Sequence, residues 1–213
     1  MASGPRPAET VLPVFRELFA HYGTREAPHS PHFSNASLLG VVVYEVVVLA
    51  LVFSIGYIRN WSFRDFGFQF SWAWLGVGVL LFVIATMVYE LVFIWGSFLA
   101  PGAGGAWPSP SASRLALPFI ILNSVANPVF EEVLEAGYVI RTLRGCGMWV
   151  AVLGSALLRC LLHAHLGIPA AAAIFAIGAI FGLAYWRWRQ LLPLIVAHGC
   201  MNLCAFLYIN HSA

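Results

Sequence analysis

The sequence predicts an all-α membrane protein, a polytopic bundle of about six transmembrane helices. Three observations carry that prediction. Of the 213 residues, 61% are hydrophobic and only 9% are charged, where a soluble domain has roughly 25% charged residues. The mean hydropathy is +0.83. Apolar runs close to the length of about 20 residues that a bilayer crossing needs recur along the chain. They are continuous rather than alternating, which argues against a β-barrel.

Residues 1–36 are polar and hold no long apolar run near the start, so no cleavable signal peptide is expected. Val11, Leu12, Phe15, Leu18, Phe19 and Tyr22 recur near helical spacing there. The segment reads either as an interfacial helix lying on the membrane or as a loosely ordered tail. His21, His29, His32 and His211 lie near the termini and read as solvated. A single transmembrane domain is expected over 37–213, with spans near 37–58, 72–98, 115–143, 148–165, 168–187 and 191–210. Polar residues interrupt the third and fourth. Glu45 and Glu90 are single acids in the first two spans, and each reads as pairing with an Arg on a neighbouring helix or bonding locally. "APGAGGAWPSPSAS", residues 100–113, reads as a flexible loop. Asn127-Pro128 reads as a helix start, since Asn caps well and Pro fits the first helical position. The chain is therefore expected to break near residue 127 and restart. Glu131 and Glu132 would then fall where the positive end of a helix dipole favours ionised carboxylates.

Charge and composition exclude several functions. The net charge of +2 is too small to suggest a nucleic-acid partner, and there is no Gly-rich phosphate loop. All eleven basic residues are Arg, which reads as genome composition; with the short chain it points to a bacterial inner membrane. Loops after the first, third and fifth spans hold Arg59, Arg64, Arg141, Arg144, Arg187 and Arg189, so the positive-inside rule makes that side cytoplasmic. Cys146, Cys160, Cys200 and Cys204 lie in or beside spans and read as buried free thiols. A transporter would show repeat symmetry between halves, and here the polar load is concentrated in the second half.

That load is the functional signal, because ionisable residues within a membrane are costly and mark sites by default. "NPVFEEVLEAGYVIR", residues 127–141, carries Glu131, Glu132 and Glu135. The fourth span adds Arg159, His163 and His165, and the sixth adds His198 and Asn202. Arg159 and His163 share a helix face, as do His198 and Asn202. Glu131 and Glu132 are about 100° apart on a helix, so one is expected to face the reaction centre and the other to brace it. A carboxylate and an imidazole can activate water, and a second imidazole with an amide can donate to an oxyanion. Glu131, His163 and His198 could instead hold zinc with an open fourth position. His165 reads as a helix-end residue. The bland alternative is an inert polar network tying helices together.

"FEEVLEAGY", "SALLRCLLHAHLG" and "LLPLIVAHGCMN" resemble, in order, the three motifs of the CPBP intramembrane proteases, which include the CAAX prenyl endopeptidases of the Rce type and relatives linked to bacteriocin immunity. The similarity covers about residues 115–207, and "DFGF" at 65–68 is similar to a short element that precedes the family core. The resemblance implies an endopeptidase acting on a membrane-associated peptide, lipid-modified peptides included. It implies that Glu131 and His163 activate water while His198 and Asn202 form the oxyanion site, with Glu132 the second acid of the pair. It favours a glutamate mechanism without a cofactor over zinc. Two positions depart from the pattern: Ala136 stands where the family has Arg, and Arg159 stands where it has Phe. Arg159 is expected to supply the missing guanidinium, with Glu135 or Glu131 as its partner. The departures also leave open a member without activity, serving immunity, chaperoning or partner binding.

Overall fold

The computed structural model describes residues 34–103 and 114–211. The expected interfacial helix, most of the expected flexible loop and three of the terminal histidines lie outside them. Six helices organise the described chain: α1 (Asn35–Ile58), α2 (Trp72–Leu99), α3 (Leu117–Glu131), α4 (Met148–Leu162), α5 (Ile168–Trp188) and α6 (Leu192–His211). α3 continues without a break into a π-helical segment, Glu132–Ile140, and on to Cys146. Counting that continuation as one, five helices are long and apolar enough to cross a membrane. α4 has 15 residues, about 22 Å at 1.5 Å per residue. It is short of the ~30 Å hydrocarbon core, so it ends at Leu162 where the sequence suggested 165.

The termini of these helices follow from local chemistry. Ser34 accepts from the Ser37 amide and closes a capping box at the start of α1, and Ser71 accepts from the Ala73 amide at the start of α2. α4 packs on α5, α2 on α5 and α6, and α3 on α1 and α6, while the π segment packs on α4. The outward faces of α1 and α2 expose Val43, Val46, Leu51, Leu80, Met87 and Leu91, the apolar boundary that a protein surrounded by lipid presents. The core holds Phe66, Val133, Ile140, Phe181, Tyr185 and Leu191. Phe66 reaches it from the 3-10 turn Phe63–Phe66, and its carbonyl accepts from the Tyr185 hydroxyl at 3.2 Å. The neighbouring Asp65 carboxyl is held below the usual carboxylate range by the amide and hydroxyl of Ser62, with Arg141 adding to the effect. Arg59 and Arg141 both lie over the Trp61 ring, at 5.0 and 4.6 Å from its centre. The turn after α1 and the end of α3 are therefore clamped together at one end of the bundle.

The expected break at residue 127 does not occur. α3 runs through Pro128, and the irregularity falls four residues later, where the winding turns π-helical. The Asn127 side chain is engaged by other side chains, so it caps nothing, and Glu131 and Glu132 do not sit at a fresh helix N-terminus. The dipole argument lapses with the break. Proline has no N–H to give the Ser124 carbonyl, and at that turn α6 approaches most closely. A Cβ built at Gly199 would lie 2.8 Å from the Ser124 oxygen. We expect Gly199→Ala to cost about 1–3 kcal/mol, as overpacking does. Thermal melting in detergent should fall accordingly, and an unchanged melting temperature would show that the two backbones have room to part.

The cysteines are free, but none is fully buried: Cys146 and Cys204 are exposed, and Cys160 and Cys200 half-buried. In a membrane protein an outward thiol on a helix meets lipid rather than water, so outward placement does not carry the penalty assumed for a soluble core. Glu90 likewise is exposed on α2, whereas Glu45 is buried, with 2% of its surface accessible.

Candidate active site

Glu131, Glu132 and Glu135 leave α3 at the α-to-π transition, a type of irregularity that is rare and recurs at functional sites. π winding advances each residue by less than the α-helical angle of about 100°, so the three acids converge more than α-helical spacing allows. The structure brings all five predicted site residues and both predicted supporting residues into one connected cluster drawn from α3, α4 and α6.

The supporting half is an ion-pair set. Arg159 on α4 donates from Nη2 to Glu132 Oε1 at 2.6 Å, and its Nε is 2.6 Å from Glu135 Oε2. Both carboxylates are fully buried and the guanidinium nearly so. Its charged end lies 5.4 Å from the centre of the Phe181 ring. Gly178 on α5 makes the approach possible: a Cβ there would sit 2.9 Å from Ala156 Cα and 3.3 Å from the Arg159 stem. Ser155 donates to the Glu135 carbonyl at 2.7 Å and fixes the register of α4 on the π segment. Arg159 thus brings one guanidinium to both Glu132 and Glu135, while Ala136 is buried in the core.

The reactive half surrounds Glu131. His163 Nε2 lies 4.0 Å from Glu131 Oε1, and His198 Nε2 lies 3.9 Å from Glu131 Oε2. The opposite ring nitrogens are committed elsewhere. His163 Nδ1 is 3.0 Å from the Arg159 carbonyl, and a carbonyl only accepts, so Nδ1 carries the proton. His198 Nδ1 is 2.8 Å from Glu132 Oε1, and a carboxylate paired with Arg159 accepts too. In the neutral rings both Nε2 atoms are then bare, and both face the Glu131 carboxylate. Two acceptors 4 Å apart have no proton to share directly; they are spaced to receive the two hydrogens of one water.

Glu131 and Glu132 therefore do meet a common partner, contrary to the helical-wheel expectation. An imidazole has a nitrogen on each edge, and His198 meets each carboxylate with a different one. His163 follows the last residue of α4 and, at 26%, is more exposed than Glu131 and His198 at 12%. His165 is an exposed helix-end residue in the 3-10 turn after α4, its ring stacked on His163 at 6.3 Å.

Two residues escaped the sequence reading. Asn127 donates to Glu45 Oε1 at 2.7 Å and to Glu131 Oε1 at 3.0 Å, and it accepts from Asn202 Nδ2 at 2.8 Å. Its place four residues before Glu131 was the available signal, masked by the capping reading. Glu45 lies on α1, far from every motif, and no spacing rule reaches it. Among the described residues no group of three or more His, Cys, Asp and Glu side chains is placed to hold a metal ion.

Fold and cluster together define a multi-pass membrane protein with a buried Glu, His and Asn site. Residues 113–204 match the Rce1-like family model, described as type II CAAX prenyl endopeptidase Rce1-like, and the matched stretch holds every predicted site residue. No curated protein matches the chain. No solved structure matches it either.

Proposed function

We propose that the protein is an intramembrane endopeptidase that hydrolyses a peptide bond in a membrane-associated substrate, such as the tail of a prenylated peptide, in a bacterial inner membrane. The observation that carries this reading is the bare Nε2 of His163 facing the Glu131 carboxylate. A water donating one hydrogen to Glu131 and one to His163 directs its lone pair away from both, toward a bound carbonyl. Glu131 takes the proton as the carbon–oxygen bond forms and passes it to the leaving amine. Asn202 stabilises the oxyanion with its second N–H, and a proton on His198 Nε2 would add a second donor there. No metal is required by this scheme, since the carboxylate and imidazole supply both base and positioning.

The test uses purified protein in liposomes and an internally quenched peptide ending in farnesyl-Cys-aliphatic-aliphatic-X. Cleavage is expected, with less than one zinc per ten molecules and no loss on chelation (roughly the trace level expected where no ligand set is assembled). Absence of cleavage from this peptide and from unprenylated membrane-tethered peptides would favour the non-catalytic, partner-binding reading. Stoichiometric zinc, with activity lost to chelator and restored by zinc, would overturn the metal-free scheme.

A further inference from the structure

We infer that Glu45, on a helix outside the family-matched region, is a positioning residue that sets the orientation of the Asn202 amide through Asn127. The inference rests on the proposed reaction for its kinetic consequence, but its structural content stands without it.

The reasoning begins with Asn127. A primary amide has two hydrogens on one side and one oxygen on the other. In this structure Nδ2 serves two carboxylates, Glu45 at 2.7 Å and Glu131 at 3.0 Å. Carboxylates flanking the nitrogen edge leave only one orientation, with Oδ1 turned to α6. Oδ1 receives Asn202 Nδ2 at 2.8 Å, so Asn202 must present its nitrogen edge to the cluster. One of its hydrogens is used on Asn127, and the second remains for a substrate oxygen. Glu131 alone cannot enforce this: it is 12% exposed and sits between two imidazoles, whereas Glu45 is 2% exposed and its Oε2 has no hydrogen-bond partner among the described residues. Without Glu45 the Asn127 amide has one carboxylate contact, can turn over, and lets Asn202 turn with it. The oxyanion site would then offer an oxygen where it needs a donor. Three helices, α1, α3 and α6, are thereby joined in a single line of hydrogen bonds that fixes two amides in series.

This predicts coupling between Glu45 and Asn202, which share no contact. The first test is thermal melting of Glu45→Ala, Asn202→Ala and the double variant, in both the native and the Asn127→Ala background. Neighbouring groups in one network are non-additive, while distant independent sites add. The double variant is expected to melt within about 2 °C of the worse single variant, a gap of roughly half a kcal/mol for a chain of this size, and the non-additivity should vanish when Asn127 is Ala. Simple addition in both backgrounds would overturn the inference whether or not the protein is a peptidase. The second test is cleavage of the quenched farnesyl peptide. Glu45→Ala should lower kcat about tenfold to a hundredfold, toward the loss seen on removing an oxyanion donor, with KM within about twofold of the parent. Glu45→Asp should recover part of it and Glu45→Gln less. A wild-type protein that cleaves, alongside a Glu45→Ala variant of equal kcat, would overturn the positioning role and leave the proposed function intact. Melting coupling in a protein that cleaves nothing would sustain the amide orientation and count against the proposed function alone.

Discussion

Arg159→Phe should fail to accumulate in the membrane, although it installs the residue that the resembled motif carries at this position. Arg159 is the one cation against two fully buried carboxylates, Glu132 and Glu135. Removing one partner of a buried charge set costs about 3–5 kcal/mol, because the remaining charges lose their compensation. That is a large share of the 5–15 kcal/mol by which a typical domain is stable. Arg159→Ala should behave as badly, adding a hole beside Phe181 and Gly178. The informative variant is the double change, Ala136→Arg with Arg159→Phe. Position 136 is one turn beyond Glu132 on the same segment, so a guanidinium there can meet Glu132 while Phe fills the space on α4. Recovery of membrane accumulation and of most of the melting temperature is expected. Full accumulation of Arg159→Phe alone would show that the buried acids tolerate the loss by taking up protons.

Glu131 and Glu132, adjacent in sequence, should respond differently to the same substitution. Among the described residues no hydrogen bond or ion pair joins Glu131 to Arg159; Glu131 is bonded to Asn127 and faces two imidazoles. Glu131→Gln keeps an acceptor for Asn127 and removes only the base. It should fold like the parent and lose about 10²–10⁴-fold in cleavage rate, the span attributed to general-base catalysis. Glu132→Gln leaves Arg159 with one fewer counter-charge and weakens the grip on His198 Nδ1. It should lower the melting temperature and activity together. Melting and cleavage measured on both variants separate the roles, and a Glu131→Gln variant that melts early but keeps its specific activity would reverse them.

Much of this was legible in the sequence, for reasons that differ by element. Long apolar runs report spans directly, because lipid penalises every unsatisfied polar group. A partner for Arg159 could be read because a buried Arg needs a counter-charge, and Glu135, which the sequence offered, is one of the two acids it meets. The course of α3 could not be read. Asn-Pro is a strong local start signal, yet Pro128 is accommodated because Gly199 lets α6 approach the turn it distorts. That contact joins residues over seventy positions apart, and no local propensity encodes it. Glu45 and Asn127 were missed for the same reason: their pairing spans α1 and α3 and has no period. The convergence of Glu131 and Glu132 on His198 escaped because helical wheels assume α-helical winding, and this segment is π-helical.

The most direct test of a water-mediated, Glu131-driven cleavage is a single turnover in ¹⁸O-enriched water, with the protein in excess over the quenched farnesyl peptide. Mass analysis then reads the new carboxyl terminus. Attack by water on the peptide carbon puts one ¹⁸O into that carboxylate in the first turnover, while the Glu131 side chain stays at its natural mass. A first-turnover product carrying only ¹⁶O, with the label appearing in the Glu131 carboxylate, would show that Glu131 attacks the substrate itself and would contradict its role as base.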